Sequence, residues 1–131
     1  MKILTHKMCS GWKKYAIGVV YFITNKINGG LYIGCTFSPN IRFYRHTYDL
    51  RCGKHVNKIM QADYNEYGEE AFEIEIHTAE LSKTGFYTEE YYENKHKLFN
   101  LERQLILSLN PKYNIHKYYA DPSKKAFELY G

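Results

Sequence analysis

The stretch VVYFITNKINGGLYIG, residues 19–34, sets two apolar runs around an Asn-Gly-Gly turn, and its reading decides the fold. VVYFIT and LYIGCT are rich in the β-branched and aromatic residues that suit a pleated surface, and Asn28-Gly29-Gly30 tolerates positive φ. The stretch reads as a β-hairpin. Period 2 puts Val19, Tyr21 and Ile23 on one face of the first strand, and Tyr32 with Gly34 on one face of the second. Whether those faces coincide depends on the register, which the connection from Lys26 to Gly30 leaves open.

Beyond the hairpin, Ser38-Pro39 reads as an N-cap with proline in the first turn, opening a helix through about Leu50. Arg42 and His46 stand four apart and share one face of it, with Arg45 and Asp49 beside them, and Ile41, Tyr44 and Tyr48 read as its apolar stripe. A second helix is predicted from about Lys54 to Tyr67, packed through Val56, Ile59, Met60, Tyr64 and Tyr67 and capped by Gly68. AFEIEIHTAEL alternates Phe72, Ile74 and Ile76 with Glu73, Glu75 and His77, which marks a third strand. A last helix begins between Thr88 and Asn100 and stops at Asn110-Pro111, because the residue before a proline avoids the helical region. Strands and helices together give an α+β domain over residues 18–116, between a loose leader, 1–17, and a polar tail, 117–131.

With 131 residues the sequence fits one such domain, large enough to bury about two thirds of its unfolded surface. The apolar share of 44% and charged share of 24% exclude a mostly disordered chain. No apolar run approaches the roughly 18 residues that span a bilayer, and MKILTHKMCSGWKK lacks the core of a secretion signal, so an intracellular protein without membrane partners is expected. Cys9, Cys35 and Cys52 are odd in number and lack C-x-x-C spacing, which suggests reduced thiols rather than disulfides or a zinc site. A formal charge of +4 and 14 tyrosines point weakly to phosphate-rich partners, since each tyrosine taken singly reads first as a core or half-exposed strand residue.

Glu102 is the most informative single residue. In LFNLERQLILSLN, Phe99, Glu102 and Ile106 lie on one helical face beside the row of Leu98, Leu101, Leu105 and Leu109, so a carboxylate points at packed side chains. Burying it ionised costs several kcal/mol unless a cation or hydrogen bonds compensate. A glutamate at the edge of the stripe, a salt bridge, or a hard-metal ligand all satisfy the pattern. Arg42 and His46 are a second candidate pair: a guanidinium fork suits a phosphate and a histidine handles a proton near neutrality, while a solvated helix face fits the same spacing. His55 reads as a weaker candidate, closer to a surface side chain. Walker-type loops, H-E-x-x-H, G-x-S-x-G and EF-hand loops are absent from the sequence.

Taken in order, these residues resemble the GIY-YIG nuclease family. Val19-Val20-Tyr21, ten residues, then Tyr32-Ile33-Gly34 match the paired motifs, with the second kept intact. Arg42, His46, His55 and Glu102 follow where the family's helix arginine, its histidines in phage homing members and its metal-binding glutamate fall, and Tyr113-Asn114-Ile115 resembles its closing segment. One departure is Val19 in place of the first motif's glycine, with Gly18 one position earlier. An adjusted strand start is expected there.

The resemblance implies a small three-stranded antiparallel sheet flanked by helices, and a phosphodiesterase that uses Mg2+ or Mn2+ to cut DNA, nicking it from one active site per chain as a monomer or transient dimer. In that scheme Glu102 holds the metal, Arg42 neutralises charge on the phosphate, Tyr21 takes the proton of the attacking water with help from His46, and Tyr32 orders the water or the phosphate. His55, Asn114 and Arg45 would contact DNA. A phage or mobile-element origin, and so the cytoplasm of a bacterium or phage-infected cell, fits the homing-type spacing. The competing readings are a nucleic-acid-binding module that keeps the fold without cutting, and a protein-interaction domain.

Overall fold

The alternation read in the hairpin and in the Phe72 segment is carried into a sheet in the computed structural model, which describes residues 1–5, 16–81 and 89–114. The elements are β1 (Lys2–Thr5), β2 (Ala16–Asn25), β3 (Leu31–Thr36), α1 (Pro39–Arg51), α2 (Lys58–Tyr67), a 3-10 turn (Glu69–Ala71), β4 (Phe72–Leu81) and α3 (Glu89–Leu109). The Lys13-Lys14 pair, Ile115 and the tail from residue 117 lie outside the described residues.

Two expectations about the sheet are corrected. It has four strands in the order β1-β4-β2-β3, and it is mixed, because β1 runs parallel to β4 while the other neighbours are antiparallel. Part of the supposed leader is therefore strand. Lys2–Thr5 is too short to show a period, and its partner lies far along the sequence, so no local pattern announces it. Ala16 likewise already belongs to β2, ahead of the expected strand start.

The sheet separates two apolar layers. On one face Val19, Tyr21, Ile23, Ile74 and Ile76 pack with Phe43 and Leu50 of α1, Met60 of α2, Phe72 and Tyr113. On the other, Val20, Ile33 and Cys35 meet Leu98 and Ile106 of α3. Each fully buried aliphatic side chain contributes about 1.5–3 kcal/mol, so these layers hold the helices to the sheet.

The helices correct the expected stripes. α1 buries Pro39, Phe43, His46 and Leu50, while Ile41, Tyr44 and Tyr48 face solvent. Both rows have helical spacing, and hydrophobicity alone picked the wrong one because the buried row contains a histidine. α2 starts at Lys58, with the Asn57 side chain accepting the Met60 N–H at its N-terminus; Val56 and Ile59 are exposed. In α3 the buried row is Asn94, Leu98, Glu102 and Ile106, each four residues from the next, which places the carboxylate between two fully enclosed aliphatic side chains.

Candidate active site around the hairpin tyrosines

The hairpin register answers what period 2 left open. Tyr21 pairs with Gly34 and Ile23 with Tyr32, so both tyrosines stand on the same face, one diagonal step apart. Their ring centroids are 6.1 Å apart. Gly34 makes the approach possible: a Cβ there would lie 2.5 Å from the Tyr21 ring carbons. Gly18 has a comparable reason, since a Cβ would sit 2.6 Å from Phe37 and 2.8 Å from Leu98. The displaced glycine of the first motif thus serves packing against α3. A shift in register between Val20 and Tyr21 relative to β4 marks an irregularity beside the site, of the sort that re-aims a side chain.

Tyr21 is completely enclosed and Tyr32 half-buried. The Tyr21 ring meets Phe43 edge-on at 5.0 Å, and its hydroxyl lies 2.6 Å from Nε2 of His46. Nδ1 of His46 is 2.8 Å from Nε2 of His55, and Nδ1 of His55 accepts the backbone N–H of Asn57 at 3.0 Å. His55 is thus buried and coupled to His46, not the surface side chain expected. Gln61 fixes the His55 loop, accepting the His55 N–H at 2.9 Å and donating to the Leu50 carbonyl at 3.0 Å.

Arg42, four residues before His46 on α1, is near enough for its charge to act on both phenols. Its Nε is buried and has no hydrogen-bond partner among the described residues. Glu102, 1% exposed, is near enough for its charge to act on Tyr21 and Tyr32 alike. Side chains from β2, β3, α1 and α3 therefore converge on one place.

The electrostatics follow from enclosure. Burial pushes the Tyr21 phenol well above its ordinary pKa; Tyr32 and Glu102 add to the rise and Arg42 opposes it. Tyr32 is raised for the same first reason, with Arg42 pulling it back, Glu102 adding to the rise and Tyr21 opposing it. Burial works against the Arg42 charge, but the two phenols more than offset it. His46 is driven well below the usual histidine range by burial, then by His55 and Arg42. His55 is lowered to about 4, chiefly by burial, with Asp49 opposing and Arg42 and Lys58 assisting. Both imidazoles are therefore neutral at pH 7.

Among the described residues no group of three or more His, Cys, Asp or Glu side chains is placed to share a metal ion. Mg2+ takes one or two protein carboxylates and completes its octahedron with water and phosphate oxygens. Glu102 is the carboxylate of the cluster that fits this part.

The remaining expected site residues lie elsewhere. Asn114 is buried and forms a two-bond clasp on the motif strand, accepting the Ile33 N–H at 2.8 Å and donating to the Ile33 carbonyl at 2.9 Å. Its amide is thereby committed to β3. The Arg45 side chain is 71% exposed, 3.5 Å from Asp49. Asn57 and Gln61 hydrogen-bond to His55 and are not singled out by the motif reading. The helix-start position of Asn57 was the available signal, but nothing in a sequence shows where a backbone N–H points.

No protein-family model matches the sequence, and no curated protein matches it. Two solved structures do. One is described as the catalytic domain of intron endonuclease I-TevI, a point mutant; it is 25% identical with a TM-score of 0.60, over 78% of this chain and 96% of that one. The other is described as the catalytic domain of homing endonuclease I-TevI, 26% identical with a TM-score of 0.54, over 75% of this chain and 97% of that one. The chain is thus similar in structure to the catalytic domain of a GIY-YIG homing endonuclease, and the fold expected from the sequence is the fold observed, apart from the added parallel strand.

Proposed function

We propose that the chain is a divalent-metal-dependent DNA endonuclease of the GIY-YIG type. The observation that carries this reading is the pairing of Tyr21 and Tyr32 on one sheet face, with the charges of Arg42 and Glu102 acting on both phenols, in a fold similar to a nuclease catalytic domain.

In this reading Glu102 holds one Mg2+ or Mn2+ ion, whose chemistry when bound is to stabilise charge on the scissile phosphate and the leaving 3′ oxygen. Arg42 supplies a permanent positive charge beside the phenols that would offset charge on the entering phosphate. Tyr21 was expected to take the proton of the attacking water. Its complete enclosure favours giving this role to Tyr32, which keeps exposed surface. The Arg42 charge and the Tyr21 hydroxyl beside it oppose the rise that burial gives the Tyr32 phenol. Tyr21 is then the hub that orders Tyr32. His46 and His55 sit behind it, Asn114 fixes the motif strand, and Arg45 is exposed for contact with the DNA backbone.

One site of this kind cuts one strand per encounter, so nicking by a monomer or a transient dimer is the expected outcome. Supercoiled plasmid with Mg2+ is the test: the wild type converts it to the open circle, and chelation stops the reaction. A wild type inert with every divalent ion and with several forms of DNA would sink the reading. Salt-sensitive DNA binding without cleavage, unchanged by Glu102→Ala, would favour the non-catalytic binding module instead.

A further inference from the structure

Behind Tyr21, one donor in the line of hydrogen bonds has no choice of direction. The Asn57 backbone N–H lies 3.0 Å from Nδ1 of His55, and an amide N–H can only donate. Nδ1 of His55 is therefore bare, and the neutral ring carries its proton on Nε2. That Nε2 is 2.8 Å from Nδ1 of His46, so His55 donates and His46 accepts. His46 in turn is bare at Nδ1 and protonated at Nε2, which is 2.6 Å from the Tyr21 oxygen. Reversing the middle bond would set two hydrogens between the same pair of nitrogens, in a place closed to water.

We propose that the Asn57 backbone amide, acting through His55, fixes His46 as a hydrogen-bond donor to Tyr21, so that His46 holds the phenol oxygen and does not take its proton. The proposal rests on the reading of Tyr21 as part of a cutting site. It makes Asn57 and His55 positioning residues and gives the motif a direction. With His46 donating, the Tyr21 hydroxyl proton is turned away from the histidines and is free for an acceptor on the Tyr32 side, where the ring centroid lies 6.1 Å away. The donor itself is firmly held. The Asn57 side chain accepts the Met60 N–H at 3.0 Å and donates to the Tyr113 carbonyl, which ties the amide to α2 and to the closing segment.

Long-range proton–nitrogen NMR on histidine-labelled protein, free of metal and DNA at pH 7, reads the tautomers directly. The expected result is an Nε2–H tautomer with a bare Nδ1 for both His46 and His55; a proton on Nδ1 of His46, or a doubly protonated ring, overturns the proposal. Asn57→Ala keeps the amide and is expected to keep both tautomers. Asn57→Pro suits the local φ of −82° but removes the N–H, and a mixture of His55 tautomers is expected; two unchanged pure tautomers would show that the amide does not set them. His55→Glu offers a carboxylate acceptor in place of the donor, and the His46 proton is expected to move to Nδ1; a His46 still protonated at Nε2 counts against the proposal, whether or not the proline variant folds. None of these spectra depends on cleavage. A protein that cuts nothing but shows the expected tautomers overturns the proposed function alone, and an active nuclease with the opposite tautomer overturns this inference alone.

Discussion

The Tyr21 hydroxyl lies 2.6 Å from Nε2 of His46, and neither side chain is open to solvent. A polar contact sealed in the core ties folding to the proposed chemistry, because each partner leaves the other unsatisfied when it is removed.

Tyr21→Phe keeps the ring among Phe43, Gly34 and His46 but strands the His46 donor. A loss of about 1–3 kcal/mol in stability is expected from the buried unsatisfied group, readable by urea denaturation. Nicking is expected to fall by at least about 100-fold, since Tyr32 loses the hydroxyl that orders it. Tyr32→Phe is expected to lose as much activity with a smaller effect on stability, because Tyr32 is half-buried.

Glu102→Gln separates stability from function. The amide keeps the shape of a side chain that is 1% exposed and removes only its charge, so the loss of function is expected to exceed any loss of stability read from the midpoint of denaturation. Nicking and metal binding are both expected to be lost, the first by roughly 100-fold to 1,000-fold and the second by calorimetry with Mn2+.

Gly34→Ala puts a methyl group 2.5 Å from the Tyr21 ring, with strand backbone holding one side and the core the other. Overpacking of this kind costs about 1–3 kcal/mol. Displacing the phenol from His46 is expected to reduce nicking more than the lost stability accounts for, which kinetics at saturating DNA would show.

The histidines set a pH dependence whose sign follows from their depressed pKa values. In the folded state His55 titrates at about 4 and His46 also lies well below its ordinary value, whereas both bind protons near 6.5 once unfolded. The unfolded state thus takes up more protons between those limits, so stability is fully present above about pH 6.5 and declines as pH falls towards 4. His55 alone contributes on the order of 3 kcal/mol to that decline. Denaturation midpoints across the range are expected to drop for the wild type and to flatten in His55→Gln.

The hairpin and β4 were legible because their alternation is local, and the carboxylate on the late helix because a charge inside an apolar row is conspicuous. Register was not legible, since the turn permits more than one; the observed one sets Tyr21 over Gly34, where a side chain would clash. β1 was missed because a short strand paired in parallel with β4 leaves no local signature. In α1 the choice between two helical rows turned on His46, whose burial depends on partners from β2 and from the His55 loop. His55 itself looked like a surface residue for the same reason. Contacts that depend on a backbone N–H, such as that of Asn57, leave no trace in residue type.

The most direct measurement is the crystal structure of the protein grown with Mn2+, with the ion located by its anomalous scattering. The expected result is one ion on the Glu102 carboxylate, with Arg42 and both hairpin tyrosines around it and water filling the remaining positions. An ion bound elsewhere, or a Glu102 that stays ion-free at millimolar Mn2+ while the protein cuts DNA, would contradict the part assigned to this residue.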